Sequence, residues 1–233
     1  MKKVGFIGAI DKTNLILSIA KILTAKMKRV LIIDATLQQK LKYIVPTVHP
    51  TKTYITTWDD IDVAVGFENL NQICEYAGIK NAEDEYDVIL FNADDAEAIN
   101  KMQIYENDMN FFVTAVDLYA IRKGLEIFGN INRPMKIVKI IYSITMDDAE
   151  NEFIDSEAED YKISFEKKYI FFPIMLEDRY AEINNQLVYK IGIREMSQLY
   201  KESLVHLINL MFQGEIKEND IRKIIKNFEK DGV

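Results

Sequence analysis

Two adjacent residues, Lys12 and Thr13, stand where chemistry could start. They close a short loop that begins at Gly8 and open a stretch in which Leu15, Ile16, Ile19, Ala20, Ile22 and Leu23 recur at helical spacing. An ammonium and a hydroxyl at a helix N-terminus can hold phosphate oxygens and a divalent cation, because the free N–H donors and the dipole of the first turn already favour an anion there. Gly8, Asp11 and Asn14 complete this constellation. Asp34, at the end of an apolar run, is a polar group at the strand end where a parallel sheet places its ligands. Asp11 is a contrary signal. A carboxylate about 5 Å from a phosphate charge repels it by roughly 3 kcal/mol at an effective dielectric near 20, or about a hundredfold in affinity. Asp11 is also a good N-cap, so the same residues read equally well as the start of a helix around an empty site.

The elements that must position these groups follow from hydrophobic patterning. Met1 to Ile7, Val30 to Asp34, Tyr86 to Asn92, Asn110 to Ala115, Lys136 to Ile144 and Lys168 to Pro173 are apolar runs without alternation, as expected of strands buried on both faces. Helical periodicity covers Asn14 to Lys26, Phe67 to Ala77 ending at Gly78, Leu118 to Phe128 and Gln198 to Met211. Strands alternating with helices predict an α/β fold with a doubly wound, mostly parallel sheet. Residues 35 to 67 are poorly patterned: Gln38 to Tyr43 suggests one turn of helix, Pro46 and Pro50 interrupt, and Tyr54 to Trp58 is β-prone. Met146 to Asp160 carries eight carboxylates. It reads as a solvated loop, since a Ca²⁺ loop needs a glycine turn and regular alternation of ligands.

The chain of 233 residues has a formal net charge of −8, which opposes a nucleic-acid footprint over the whole surface. One cysteine, Cys74, fits a reducing cytoplasm and reads as packed. His49 and His206 are too few for a histidine-rich metal site, and His206, among Leu204, Val205, Leu207 and Ile208, reads as a core or flanking residue. No run of eighteen apolar residues predicts a membrane span.

Laid end to end, these segments resemble the MinD/ParA group of deviant Walker P-loop ATPases. The family loop has the form Lys-Gly-Gly-x-Gly-Lys-Thr-Thr; the matching stretch is Ile7-Gly8-Ala9-Ile10-Asp11-Lys12-Thr13-Asn14. The second strand ends in Asp34-Ala35-Thr36-Leu37-Gln38, against Asp-x-Asp-Pro-Gln, and Tyr86-Asp87-Val88-Ile89-Leu90-Phe91-Asn92 matches the Walker B form except for its last residue. Ile170 to Asp178 is similar to the late strand that runs into Ile-Pro. The resemblance implies ATP or ADP with Mg²⁺ held by Gly8, Asp11, Lys12, Thr13, Asn14 and Asn92, with Thr13 on the metal and Asp34 orienting the attacking water. It also implies a homodimer. The departures remove parts that stabilise metal and transition-state charge: Phe6 stands where the general P-loop has its first glycine, Asp11 replaces the glycine before the lysine, Ile7 replaces the lysine that reaches a partner's nucleotide, and Asn92 replaces a carboxylate. The expectation is a degenerate member that positions or assembles a protein partner in partitioning, polar placement or secretion and pilus assembly, with weak or absent hydrolysis. The alternative is a slow ATPase whose nucleotide drives dimerisation and partner, DNA or membrane binding.

Residues 1–213 read as this domain and 214–233 as a C-terminal amphipathic helix after a hinge at Gly214. Ile221, Ile224, Ile225 and Phe228 form one apolar stripe, similar to the membrane-targeting helix that ends MinD-like proteins; packing on its own domain or on a partner subunit is the other reading. For non-specific DNA, Lys21, Lys26, Lys28 and Arg29 would have to form one patch.

Overall fold

A computed structural model describes residues 1–47, 52–131 and 133–230; His49, Pro50 and Asp231 lie outside them. Eight strands form one sheet: β1 (Lys2–Ile7), β2 (Val30–Asp34), β3 (Tyr54–Trp58), β4 (Ile61–Val65), β5 (Val88–Ala93), β6 (Met109–Ala115), β7 (Met135–Ser143) and β8 (Ile163–Pro173). Their order is β3-β4-β2-β5-β1-β6-β7-β8, and every neighbouring pair is parallel except β3 with β4. The doubly wound, mostly parallel α/β sheet is therefore as expected.

The unalternating runs have a direct cause. Along β2, Val30 and Ile32 join one core layer while Leu31 and Ile33 join the other, and β5 divides in the same way between Val88 and Leu90 on one side and Ile89 and Phe91 on the other. Both faces are apolar because both are covered. One layer is roofed by α1 (Thr13–Ala25), α9 (Gln198–Met211) and α10 (Glu218–Lys230), the other by α3 (Leu70–Ala77), α5 (Ala96–Lys101), α6 (Leu118–Gly129) and α7 (Asp148–Glu157). Two short helices, α2 (Leu41–Ile44) and α4 (Ala82–Glu85), lie in connections, and α8 (Leu176–Leu187) follows β8.

Three expectations change. The acidic stretch from Met146 is not a loop: Asp147 caps α7 by accepting from the Ala149 N–H, and Ile154 is fully buried beneath it. The last strand begins at Ile163, five residues before the apolar run, because it pairs with β7 from Met135 onward. The ill-patterned region holds a second strand, β4, that its patterning does not predict. It forms a hairpin with β3 through Asp59-Asp60, both at positive φ (55° and 63°), the mirror-image turn that suits strand twist.

At the C-terminus, Gly214 adopts φ 85° and turns the chain between α9 and α10. The stripe on α10 faces inward. Ile221 and Ile225 are buried, and Ile224 and Phe228 pack partly buried against the same core layer as α1 and α9. The apolar stripe thus covers protein, and the lipid-facing reading of Ile221, Ile224, Ile225 and Phe228 is corrected accordingly. His206 joins α9 to α10 by a 3.1 Å contact with Glu218. Among the described residues no helix is long and apolar enough to cross a membrane.

Candidate functional site

The loop between β1 and α1 lies at the C-terminal edge of the sheet, the end where parallel sheets place ligands. Gly8 is required there by packing: a Cβ would lie 2.0 Å from the Val113 carbonyl oxygen of β6. Lys12 is buried, and its ammonium donates back into the loop, to the Gly8 carbonyl at 2.7 Å and the Ile10 carbonyl at 3.0 Å. Burial lowers its pKa to about 8, against the pull of Asp94, Asp11 and Asp34.

Asp11 turns its carboxylate onto the helix start. One oxygen accepts from the Thr13 N–H at 3.0 Å and the other pairs with Lys40 at 3.0 Å. Burial alone would raise its pKa, but the bonds from Thr13 and Lys40 hold it below the ordinary carboxylate value. An internal anion therefore takes a donor at the N-terminus of α1 that an incoming phosphate would use.

A cleft of about 40 Å³ lies beside this loop, lined by Ala9 to Thr13, Thr36, Gln38, Lys40, Asn92 and Asp94. By the measure that one water needs about 10–15 Å³, it has room for a few waters. Two carboxylates, Asp11 and Asp94, face two ammoniums, Lys12 and Lys40, so the cleft has no positive surplus for a polyphosphate. Two buried oxygens here lack partners, Thr13 Oγ1 and Asn92 Oδ1. These orphans fit a small cation or a water, and the Thr13 N–H held by Asp11 is a donor that a phosphate would otherwise take. Among the described residues no group of three or more His, Cys, Asp or Glu side chains could by itself hold a metal ion.

The other expected site residues divide. Asp34 is buried at the end of β2, but Oδ1 accepts from the N–H and hydroxyl of Thr36 and Oδ2 from the Leu41 N–H at 3.0 Å. Burial raises its pKa, opposed by these bonds. Its carboxylate shapes the 34–41 turn. Asn14 turns toward α8, 3.5 Å from Gln186, and together with Ile10 and Asp11 of the same loop lines an adjoining cavity of about 190 Å³ with Tyr142, Arg179 and Glu182. Ile7 is fully buried in the second core layer and cannot reach across an interface. Thr36, Lys40 and Asp94 join the site in addition to the residues expected from the sequence. Asp94 was accessible from strand period, since it lies two residues after Asn92 and so on the same face; it accepts from the Leu37 N–H at 2.9 Å. The basic residues of the DNA reading are each ion-paired: Lys21 with Asp59, Lys26 with Asp220, Lys28 with Asp87 and Arg29 with Glu85.

No protein-family profile and no curated protein sequence matches the chain. Solved structures do. The MinC:MinD cell division complex of Aquifex aeolicus aligns with a TM-score of 0.61 at 14% identity, covering 93% of this chain and 98% of that one. A ParA family ATPase from Chlorobium tepidum gives 0.57 at 15% identity over 90% and 98%. A plasmid partition protein of Borrelia burgdorferi bound to AMPPNP gives 0.54 at 15% identity over 92% and 99%. The chain has the fold of the MinD/ParA P-loop ATPases.

Proposed function

We propose that this chain is a positioning or assembly scaffold built on the MinD/ParA fold, serving partitioning, polar placement or secretion and pilus assembly, with weak or absent ATP hydrolysis. The observation that carries this reading is Asp11, whose carboxylate occupies the Thr13 N–H and the Lys40 ammonium where a phosphate would bind. The engagement of both Asp34 oxygens by donors of their own turn adds support, because it draws acceptor capacity away from an attacking water. Its action is then stoichiometric, through a surface that binds a protein partner. A second reading, slow nucleotide-dependent switching with Mg²⁺, draws on the partnerless Thr13 Oγ1 and Asn92 Oδ1 and on the AMPPNP bound by a protein of the same fold. In that reading Lys12 and Thr13 hold phosphate and metal.

Calorimetry with ATP and Mg²⁺ separates the two. The expected outcome is millimolar or weaker binding by the wild type, at least tenfold tighter binding by Asp11→Gly, and loss of that gain in the double variant with Lys12→Ala. Micromolar binding and steady turnover by the wild type would overturn the scaffold reading.

A further inference from the structure

The helix after β8 is inside out. Its inner face carries Asp178, Ala181 and Asn185; its outer face carries Leu176, Tyr180, Ile183 and Leu187, exposed to 92%, 73%, 44% and 73%. At 100° per residue these four side chains lie on one line opposite the buried ones. The orientation is fixed by bonds on the inner side. Asp178 accepts from the Ser197 N–H at 2.6 Å and its hydroxyl at 2.9 Å, and Asn185 donates to the Gly192 carbonyl at 2.6 Å. Rolling the helix to bury its apolar face would strand these buried polar groups. The apolar stripe is therefore held outward.

We propose that this stripe is a homodimer seam in which α8 pairs antiparallel with α8 of a second copy, independently of nucleotide. The spacing of Leu176, Tyr180, Ile183 and Leu187 is four, three, four, a heptad-type seam of about three turns that reads the same in both directions. A two-fold axis at its midpoint sets Leu176 against the partner's Leu187 and Tyr180 against the partner's Ile183, so the surface is complementary to itself. On the flanks Arg179 meets the partner's Gln186 and Glu177 the partner's Asn184, and no like charges face each other. The four side chains together offer on the order of 500 Å², taking about 150–200 Å² for a fully exposed large side chain. Over both partners that is about 1,000 Å², the low end of specific protein interfaces. A lipid surface fits less well. Glu177, Asp178 and Glu182 stand on this helix with Arg179 its one cation, whereas bilayer-bound helices carry a basic polar face.

Sedimentation of the full chain without nucleotide tests the seam. The wild type is expected to dimerise at micromolar concentration, and Leu187→Glu to be monomeric with unchanged far-UV circular dichroism and melting temperature. In a Cys74→Ser background, Leu176→Cys mixed with Leu187→Cys is expected to form an intermolecular disulfide, while neither variant alone does, because like positions are separated by about 16 Å of helix rise. A monomeric wild type, a dimer unaffected by Leu187→Glu, cross-linking of either variant alone, or a monomer that floats with phosphatidylglycerol–phosphatidylethanolamine vesicles would each overturn the proposal.

Discussion

The helices α8 and α10 each carry one apolar stripe and turn it in opposite directions. On α10, Ile221 and Ile225 sink against α1 and α9, while charged residues such as Lys223 and Lys226 face water. On α8, Ala181 and two hydrogen-bonded polar residues face inward, and the large apolar side chains stand in solvent. Periodicity thus reports that a helix has an apolar side, and the polar anchors decide where that side points. The helix that looks adhesive in sequence is already occupied, and the one whose adhesion remains available is α8.

The largest expected effect would break this contrast if it failed. Ile221→Asp buries an unpaired carboxylate and should cost about 4 kcal/mol or more, lowering the melting temperature by roughly 10 °C at about 2–4 °C per kcal/mol for a chain this size. Ile183→Asp on α8 should leave the melting of dilute protein nearly unchanged. A comparable fall in the second variant would mean that the outer face of α8 is packed after all.

The loop repeats the inward arrangement with charge in place of apolar surface, and pH exposes it. Lys12 has a pKa of about 8 when folded against an ordinary value of 10.5. Between the two the unfolded chain binds the extra proton, so stability from this group rises with pH across that window, by up to about 3 kcal/mol. Chemical denaturation of the wild type and Lys12→Met at several pH values should show the difference in unfolding free energy shifting toward the wild type from pH 8 to 10.5. Parallel curves would mean that Lys12 is not desolvated. Asp34→Asn removes an acceptor from the 34–41 turn and should cost about 1–3 kcal/mol, with faster amide exchange at Thr36 and Leu41. An unchanged exchange rate there would show that the turn stands without it.

The smallest effect sharpens the account of α10. Lys26 pairs with Asp220 at 3.3 Å, but both side chains are about 40% exposed. Lys26→Ala should therefore shift stability by no more than about 0.5 kcal/mol. A shift comparable to that of Ile221→Asp would assign the docking of α10 to charge rather than to burial.

How much of this was legible depended on how local the signal was. The central strands were plain because covering both faces demands uninterrupted apolar runs, as in Val88 to Phe91. The β3–β4 hairpin was hidden because its turn uses Asp59-Asp60 where a glycine usually marks positive φ. Helix α7 was masked by carboxylates that outnumber its single buried anchor, Ile154. At the site, Lys12 and Thr13 were readable from their spacing, whereas the bond between Lys40 and Asp11 joins residues 29 apart and has no local mark. The outward stripe of α8 depends on Ser197 and Gly192, which belong to later segments of the chain.

The placement of β1 has a consequence for how the chain comes into being. The first strand lies in the middle of the sheet, with Lys2 opposite Val88 on one side and Val4 opposite Met109 on the other. At a synthesis rate of about 5–20 residues per second, its partners follow it by roughly 5–20 s. Throughout that interval the emerging β1 segment has no sheet to join, and its apolar residues are available to chaperones and to neighbouring nascent chains. Pairing across such separations makes folding slow. The birth of this molecule is accordingly governed by its middle third, and a ribosome stalled before residue 88 would display a β1 segment with neither of its partners yet made.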